Sequence, residues 1–132
     1  MLVLIRGISG SGKSTLAKTF ESVGYVHLES DMYMIEDNVY TWKQSKIEKA
    51  HQWCFSMCKE FLSMDRDVVV ANTFTRPWEL KNYTDHCNEN NITYKIVRCS
   101  GNYENVHNVS GEIVAQQKKR FEDIEGEELY VN

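Results

Sequence analysis

Residues 7–14 read Gly7-Ile8-Ser9-Gly10-Ser11-Gly12-Lys13-Ser14 and fill every fixed position of the phosphate-binding pattern G-x-x-x-x-G-K-[ST]. The apolar run at residues 2–5 before this stretch predicts a buried strand, and residues 15–20 after it predict an amphipathic helix. A strand, a glycine-rich turn and a helix in this order form the setting that the motif requires. The stretch therefore predicts an α/β protein that binds the phosphates of a nucleotide.

The chemistry of the glycine loop follows from its residue types. Its glycines allow backbone conformations in which successive N–H groups curl around a phosphate, and the helix that begins near Lys13 adds further N–H donors and a positive dipole end. Lys13 is expected to contact the β- and γ-phosphates, and the hydroxyl oxygen of Ser14 suits Mg²⁺. The predicted nucleotide-contacting residues are Gly7, Ser9, Gly10, Ser11, Gly12, Lys13, Ser14 and Thr15.

Length and charge limit the function classes. A chain of 132 residues fits one domain, residues 1–132, and is too short for the added modules of large motor ATPases. The net charge of −4 argues against indiscriminate nucleic-acid binding. Acidic residues concentrate at 122–128, where we expect an acidic tail that frays. The basic run Lys118, Lys119 and Arg120 before it is either a local basic groove or a solvated helix face.

The cysteines and the hydropathy of the chain indicate the cellular compartment in which we expect the protein. The four cysteines show no C-x-x-C spacing, and the apolar N-terminal run stops at Arg6, so we expect no cleavable secretion signal. They are interpreted as reduced thiols of a cytoplasmic protein. No apolar stretch approaches the length that spans a bilayer, so no membrane partner is expected.

The remaining chain alternates predicted strands and helices. Strands are predicted near residues 25–28, 68–72 and 93–99, and helices near residues 43–62, 77–89 and 111–123. This alternation predicts a three-layer α/β fold, with a parallel sheet of four to five strands and helices on both faces. The region at about 109–123 is interpreted as a lid helix.

Asp31 and Arg120 are the candidate catalytic residues beside Lys13. Ligands bind at the carboxyl ends of parallel strands, and Asp31 lies just past such an end. A kinase needs a carboxylate to orient or deprotonate the attacking hydroxyl, and cations to offset the developing charge. Asp31 could instead only cap the following segment, and Lys118 or Lys119 could take the place of Arg120.

Several further segments resemble motifs of the polynucleotide 5′-hydroxyl kinase group of P-loop kinases. Ser30-Asp31-Met32-Tyr33 is similar to its D-x-Y segment, and Tyr40-Thr41-Trp42 with Ala50-His51 resembles its Y-x-aromatic and A-H pair. Val70-Ala71-Asn72-Thr73 with Trp78-Glu79 is similar to its V-D-N-T and W-E elements. Asn105-Val106-His107-Asn108-Val109-Ser110, ahead of Arg120-Phe121-Glu122, resembles its N-x-H-G-V-P and R-x-E lid stretch.

The resemblance implies a P-loop NTPase fold of the nucleoside and polynucleotide kinase type. It also implies transfer of the γ-phosphate of ATP to a hydroxyl, with Lys13 and Ser14 on the phosphates and Mg²⁺. By the same resemblance Asp31 is the general base, Arg120 is a lid arginine, and the acceptor is the 5′ end of a single-stranded nucleic acid.

Three positions depart from the pattern of that group. The group has an acid where this chain has Ala71 or Asn72, an asparagine at the place of Phe74, and in its phage member an arginine at the place of Met34. Three functions therefore stay open: a polynucleotide kinase, a kinase for a nucleoside, nucleotide or other small hydroxyl compound, and a non-enzymatic ATP-binding regulatory protein.

Other side chains have two interpretations each. His51, Cys54 and Cys58 share a helix face and could bind zinc, but no fourth ligand stands at suitable spacing, which favours a packed core face. His107 suits a hydrogen bond within its loop better than a role in the lid. Tyr40 and Trp42 could stack on a base, although such aromatic residues usually close a core.

Overall fold

The computed structural model describes residues 1–36, 39–40, 46–101 and 111–130. In chain order the strands are β1 (Leu2–Arg6), β2 (Val26–Leu28), β3 (Ile35–Glu36), β4 (Val39–Tyr40), β5 (Val68–Asn72), β6 (Tyr94–Cys99) and β7 (Glu128–Tyr130). The α-helices are α1 (Lys13–Glu21), α2 (Ile47–Ser63), α3 (Lys81–Glu89) and α4 (Gly111–Arg120), and 3-10 turns cover Ser30–Met34 and Pro77–Glu79.

The main sheet has five parallel strands in the order β2-β5-β1-β6-β7. Strands β1 and β5 lie inside the sheet, and all five residues of each are buried. Their continuous apolar composition is typical of parallel strands covered on both faces. The predicted α/β fold with a parallel sheet of four to five strands is confirmed. Strands β3 and β4 form a separate antiparallel pair.

Two apolar clusters cover the two faces of the sheet. Val3, Ile5, Val69 and Ala71 pack with Leu16 and Ala17 of α1. Leu2, Leu4, Val68 and Val70 pack with side chains of α2 and α3, including Cys54, Cys58 and Cys87. Because side chains alternate along a strand, Ala71 faces α1 and its neighbour Asn72 faces α2. Cys54 and Cys58 thus lie in the core, as the packed-face interpretation predicts, whereas His51 on the same helix is exposed, so for His51 that interpretation was wrong.

The acidic tail does not fray, so that prediction was wrong. Its last part forms β7, which pairs in parallel with β6. The cause is Arg6 at the end of β1, whose side chain is fully buried. Arg6 donates hydrogen bonds to Glu127 Oε2 at 2.6 Å and to the carbonyl oxygen of Glu122 at 2.6 Å. The ring of Phe121 lies 4.1 Å from the Arg6 guanidinium carbon.

Three predicted boundaries shift. The last helix ends at Arg120 rather than near residue 123, since the chain then turns to meet Arg6. The segment from Pro77 begins as a 3-10 turn, and α3 starts at Lys81. Helix α2 starts at Ile47, while the predicted start at residue 43 lies outside the described residues. Within the described ranges, no helix is long and apolar enough to cross a membrane.

Candidate active site

The glycine loop joins β1 to α1 in a tight turn. Gly10 and Gly12 take positive φ angles of 83° and 97°, which side chains with a Cβ rarely adopt. A Cβ on Gly7 would lie 2.3 Å from Ser11 Oγ, so a larger residue there would displace the loop. Gly12 caps α1 without any side-chain hydrogen bond. The first turn of α1 therefore offers its N–H groups to a ligand rather than to a capping side chain.

Backbone hydrogen bonds anchor the loop between two strand ends. Gly7 N donates to the carbonyl oxygen of Thr73, just past β5, and Gly101 N, past β6, donates to the carbonyl oxygen of Ser11. The Ser11 hydroxyl is fully buried and has no hydrogen-bond partner within the described part of the chain. The loop thus lies at the carboxyl edge of the sheet, where ligands of parallel sheets bind.

Lys13 folds back over the loop. Its Nζ donates to the carbonyl oxygen of Ile8 at 3.1 Å. Desolvation lowers the pKa of Lys13, while the charges of Glu29 and Asp31 act in the opposite direction. Both carboxylates are therefore close enough to the loop to act on the Lys13 ammonium group. A phosphate at this place would meet that ammonium group and the N–H groups of α1.

Ser14 has a carboxylate partner that the sequence did not reveal. Its Oγ donates to Glu29 Oε1 at 3.0 Å. The other oxygen of Glu29 lies 2.5 Å from His27 Nε2, and Glu29 itself is only 8% exposed. His27 Nδ1 lies 3.8 Å from Glu21 Oε1. The available signal was an acidic residue directly after a strand, which the sequence analysis used only for Asp31.

Asn72 holds the segment that carries Glu29 and Asp31. Its Oδ1 accepts a hydrogen bond from Ser30 N at 2.9 Å, and its Nδ2 contacts Cys54 Sγ at 3.8 Å. The Ser30 hydroxyl is in turn 2.9 Å from His51 Nδ1. Asn72 therefore fixes the 3-10 turn that starts at Ser30. Asp31 lies in this turn and is half-buried.

Helix α4 contacts the loop through Gln117. Gln117 Oε1 accepts a hydrogen bond from Ser9 N at 2.8 Å. Lys118, Lys119 and Arg120 are exposed and lie in the last turn of the same helix. The structure thus brings Lys13, Ser14, Asp31 and α4 to one edge of the sheet. Thr15, by contrast, is exposed on α1.

The structure explains two positions, Phe74 and Met34, at which this chain departs from the pattern of the polynucleotide kinase group. Phe74 takes a positive φ of 44°, and its ring packs against Tyr83 at 5.6 Å between centroids, so core packing stabilises a conformation that asparagine adopts more readily. Met34 is 2% exposed and therefore presents no group to a ligand. The segments at 41–45 and 105–110, with Trp42 and His107, and the side chain of Tyr40 lie outside the described residues.

The five-stranded sheet, the glycine loop and the docked helix define a P-loop NTPase of the kinase-like type. The chain belongs to the AAA domain family AAA_33, whose model matches residues 2–108. Human NEDD4-binding protein 2 is 35% identical over 86 residues, which are 63% of this chain and 5% of the human protein. An uncharacterized protein of Pasteurella multocida is 25% identical over 128 residues, covering 86% of this chain and 72% of that protein.

Solved structures share the fold at low sequence identity. A gluconokinase from Sinorhizobium meliloti is 18% identical with a TM-score of 0.65, covering 98% of this chain and 81% of that one. Chaetomium thermophilum Kti12 in complex with ADP-AlF3 is 12% identical with a TM-score of 0.70, covering 99% and 89%. A chain of the Pnkp1/Rnl/Hen1 complex is 16% identical with a TM-score of 0.55, covering 87% and 38%.

Proposed function

We propose that the protein is an ATP-dependent phosphotransferase that moves the γ-phosphate of ATP to a hydroxyl group. The observation that carries this proposal is the arrangement around the glycine loop. Lys13 bonds to the loop, Ser14 pairs with Glu29, and the charges of Glu29 and Asp31 both act on Lys13. Phosphoryl transfer needs a phosphate cradle, a divalent cation and a carboxylate for the attacking hydroxyl; in this proposal these residues form the cradle, bind the cation and provide the carboxylate.

The donor set fits Mg²⁺. The hydroxyl of Ser14 and the carboxylate of Glu29 are hard oxygen donors 3.0 Å apart, and Mg²⁺ is usually held by one or two such groups together with phosphates and water. Within the described ranges, no group of three or more His, Cys, Asp or Glu side chains could hold a metal by itself. A bound Mg²⁺ would offset the charge on the phosphate oxygens. Ser14 and Glu29 are the residues that would hold it.

Asp31 is proposed as the general base. The acceptor hydroxyl would pass its proton to the Asp31 carboxylate while its oxygen forms a bond to the γ-phosphorus. The bond from that phosphorus to the β–γ bridging oxygen breaks, and ADP leaves with the electron pair. Lys13 and the basic end of α4, with Arg120 as the leading residue, would offset the charge that develops.

The proposed acceptor is the 5′-hydroxyl of a single-stranded polynucleotide. It is supported by the resemblance between residues 2 and 122 and the polynucleotide 5′-hydroxyl kinase group, and by the exposed basic run Lys118, Lys119 and Arg120 on the docked helix. A nucleoside, nucleotide or other small hydroxyl compound is the second candidate. It is favoured by Met34, which is buried where an arginine for a substrate phosphate would stand.

A non-enzymatic ATP-binding role is the third candidate, since neither Ala71 nor Asn72 is acidic. The carboxylate of Glu29 beside Ser14 argues against it, because the metal site then keeps an acid.

The test is transfer of labelled γ-phosphate from ATP with Mg²⁺ present. Equimolar 5′-hydroxyl DNA and RNA oligomers and a pool of nucleosides and sugars serve as acceptors, and a 5′-phosphorylated oligomer serves as the negative control. Labelling of the 5′-hydroxyl oligomers alone supports the polynucleotide acceptor, and labelling of small acceptors alone replaces it with the second candidate. Lys13→Ala should abolish either signal. ATP binding without transfer to any acceptor would favour the third candidate.

A further inference from the structure

Helix α4 attaches to the protein in an unusual way. Among its ten residues only Gln117 is buried, at 8% exposure, and eight of the others are exposed. Helices usually dock through an apolar stripe, but here Val114 is half-buried and the buried residue is polar. The contact that Gln117 makes is therefore expected to contribute to the position of α4.

That contact is with the glycine loop. Gln117 Oε1 accepts the Ser9 N–H at 2.8 Å, although the two residues are 108 positions apart in the sequence. A neutral hydrogen bond of this kind changes the equilibrium constant between docked and undocked α4 by roughly 2- to 12-fold. The bond is thus strong enough to favour the docked helix and weak enough for a ligand on the loop to reverse it.

The chain that follows α4 is fixed more firmly. Glu122 N donates to the carbonyl oxygen of Thr75 at 2.7 Å. The ring of Phe121 lies 4.1 Å from the guanidinium carbon of Arg6 and 4.6 Å from that of Arg98. Helix α4 therefore has a fixed C-terminal end, and the Gln117–Ser9 bond joins its face to the glycine loop. Arg120, three residues after Gln117, lies on that same face.

We propose that Gln117 is a positioning residue that couples the glycine loop to α4. Its bond to Ser9 docks the helix and holds the basic residues Lys118, Lys119 and Arg120 beside the phosphate site. The consequence for phosphoryl transfer rests on the proposed function, whereas the docking itself does not.

Hydrogen exchange of the ligand-free protein tests the docking without any reaction. Gln117→Leu removes the acceptor at similar volume, and Gln116→Leu changes an exposed neighbour on the same helix as the matched control. We expect roughly 2- to 12-fold faster exchange at α4 and at Ser9 in Gln117→Leu, with no change in Gln116→Leu. Gln117→Glu keeps a side-chain oxygen that accepts from Ser9 and should restore protection.

Kinetics separate positioning from a merely structural role. Gln117→Leu should lower kcat several-fold with an unchanged melting temperature, while Gln117→Glu should raise the Kd for ATP because its negative charge would lie beside the phosphates. Unchanged exchange at both α4 and Ser9 in Gln117→Leu would overturn the inference. If the wild-type protein transfers phosphate to no acceptor, the proposed function is refuted. If Gln117→Leu nevertheless exchanges faster, the docking role of Gln117 still holds.

Discussion

Arg6 Nη1 donates to Glu127 Oε2 at 2.6 Å and thereby joins the end of the first strand to the residue that precedes the last strand. The Arg6 side chain is fully buried, and that of Glu127 is 11% exposed. Desolvation lowers the pKa of Arg6, and Glu127 acts against this effect. Three carbonyl oxygens accept further hydrogen bonds from Arg6: that of Phe74 from Nε, and those of Thr75 and Glu122 from Nη2. The acidic tail is ordered because this buried cation requires acceptors.

Removal of Arg6 is expected to destabilise the fold strongly. Arg6→Met leaves Glu127 with its 3.4 Å contact to Arg98 and removes the donor of three carbonyl oxygens. Breaking a buried ion pair in this way costs about 3–5 kcal/mol. The free energy of unfolding from urea titration measures the loss. Lys81→Met breaks an exposed pair with Asp85 and is the control, for which we expect little change. Equal effects of the two substitutions would contradict a structural role for the Arg6 cluster.

Glu29 is expected to link nucleotide binding to Mg²⁺. Glu29→Gln keeps the size of the side chain and removes its charge, so the gain in ADP affinity on adding Mg²⁺ should fall about 10-fold or more. Affinity in the presence of EDTA should stay near the wild-type value. Glu21→Gln is the matched control, since Glu21 also neighbours His27 but does not contact Ser14. The same Mg²⁺ effect in Glu29→Gln and wild type would exclude Glu29 from the metal site.

Asp31 is expected to govern the chemical step rather than binding. Asp31→Asn should lower kcat by about 10²-fold or more, because the amide cannot accept the proton of the attacking hydroxyl. The Kd for ATP should change little. Steady-state kinetics with the best acceptor, together with calorimetry for ATP, make the comparison, and Glu60→Gln on the exposed side of α2 is the control. Near-normal turnover in Asp31→Asn would remove it as the base.

The buried thiols should make the protein less stable in alkali. Burial raises the pKa of Cys99 to about 11 and also raises the pKa values of Cys54, Cys58, Cys87 and the Tyr83 hydroxyl. The unfolded chain therefore binds fewer protons above its ordinary thiol pKa of 9.0, and stability falls as the pH rises beyond it. The lowered pKa values of Lys13 and Arg6 act in the opposite sense, but they are two groups against five.

Two measurements check this prediction. Urea titrations between about pH 7 and about pH 10 should show a smaller free energy of unfolding at the alkaline end. Iodoacetamide at about pH 8 should modify Cys99 slowly in the native protein, since only about 10⁻³ of a thiol with this pKa is ionised, and rapidly in urea. Rapid native labelling of Cys99 would contradict its burial.

The fold was largely predictable because its signals are local. The glycine loop, the β-branched strand at residues 68–72 and the spacing of apolar residues in α2 each specify their own element. Strand β7 was not predictable in this way. The composition of this segment predicts a solvated acidic tail. The segment is ordered instead by its contacts with Arg6, which lies more than 115 positions earlier in the sequence.

The site was predictable where one motif carries several residues. Lys13 and Ser14 follow from the loop pattern, whereas Glu29 and Gln117 act through contacts between distant segments. The acid that the resemblance implies at Ala71 or Asn72 is absent. Alternation along β5 turns Asn72 toward α2 and Ala71 toward α1, and the Ser14 hydroxyl contacts Glu29, directly after β2.

The position of Glu29 after β2 affects how proteins with an incomplete motif are classified as enzymes or pseudoenzymes. A survey that scored proteins by the acid expected from the polynucleotide kinase group at the end of β5 would place this chain among the pseudoenzymes. Strand β2 adjoins β5 and runs parallel to it, so the two strands end at the same edge of the sheet, and Glu29 directly after β2 contacts Ser14. The absence of an acidic residue at the end of one strand therefore indicates a lost metal site only if the adjacent strand also lacks an acidic residue at its end.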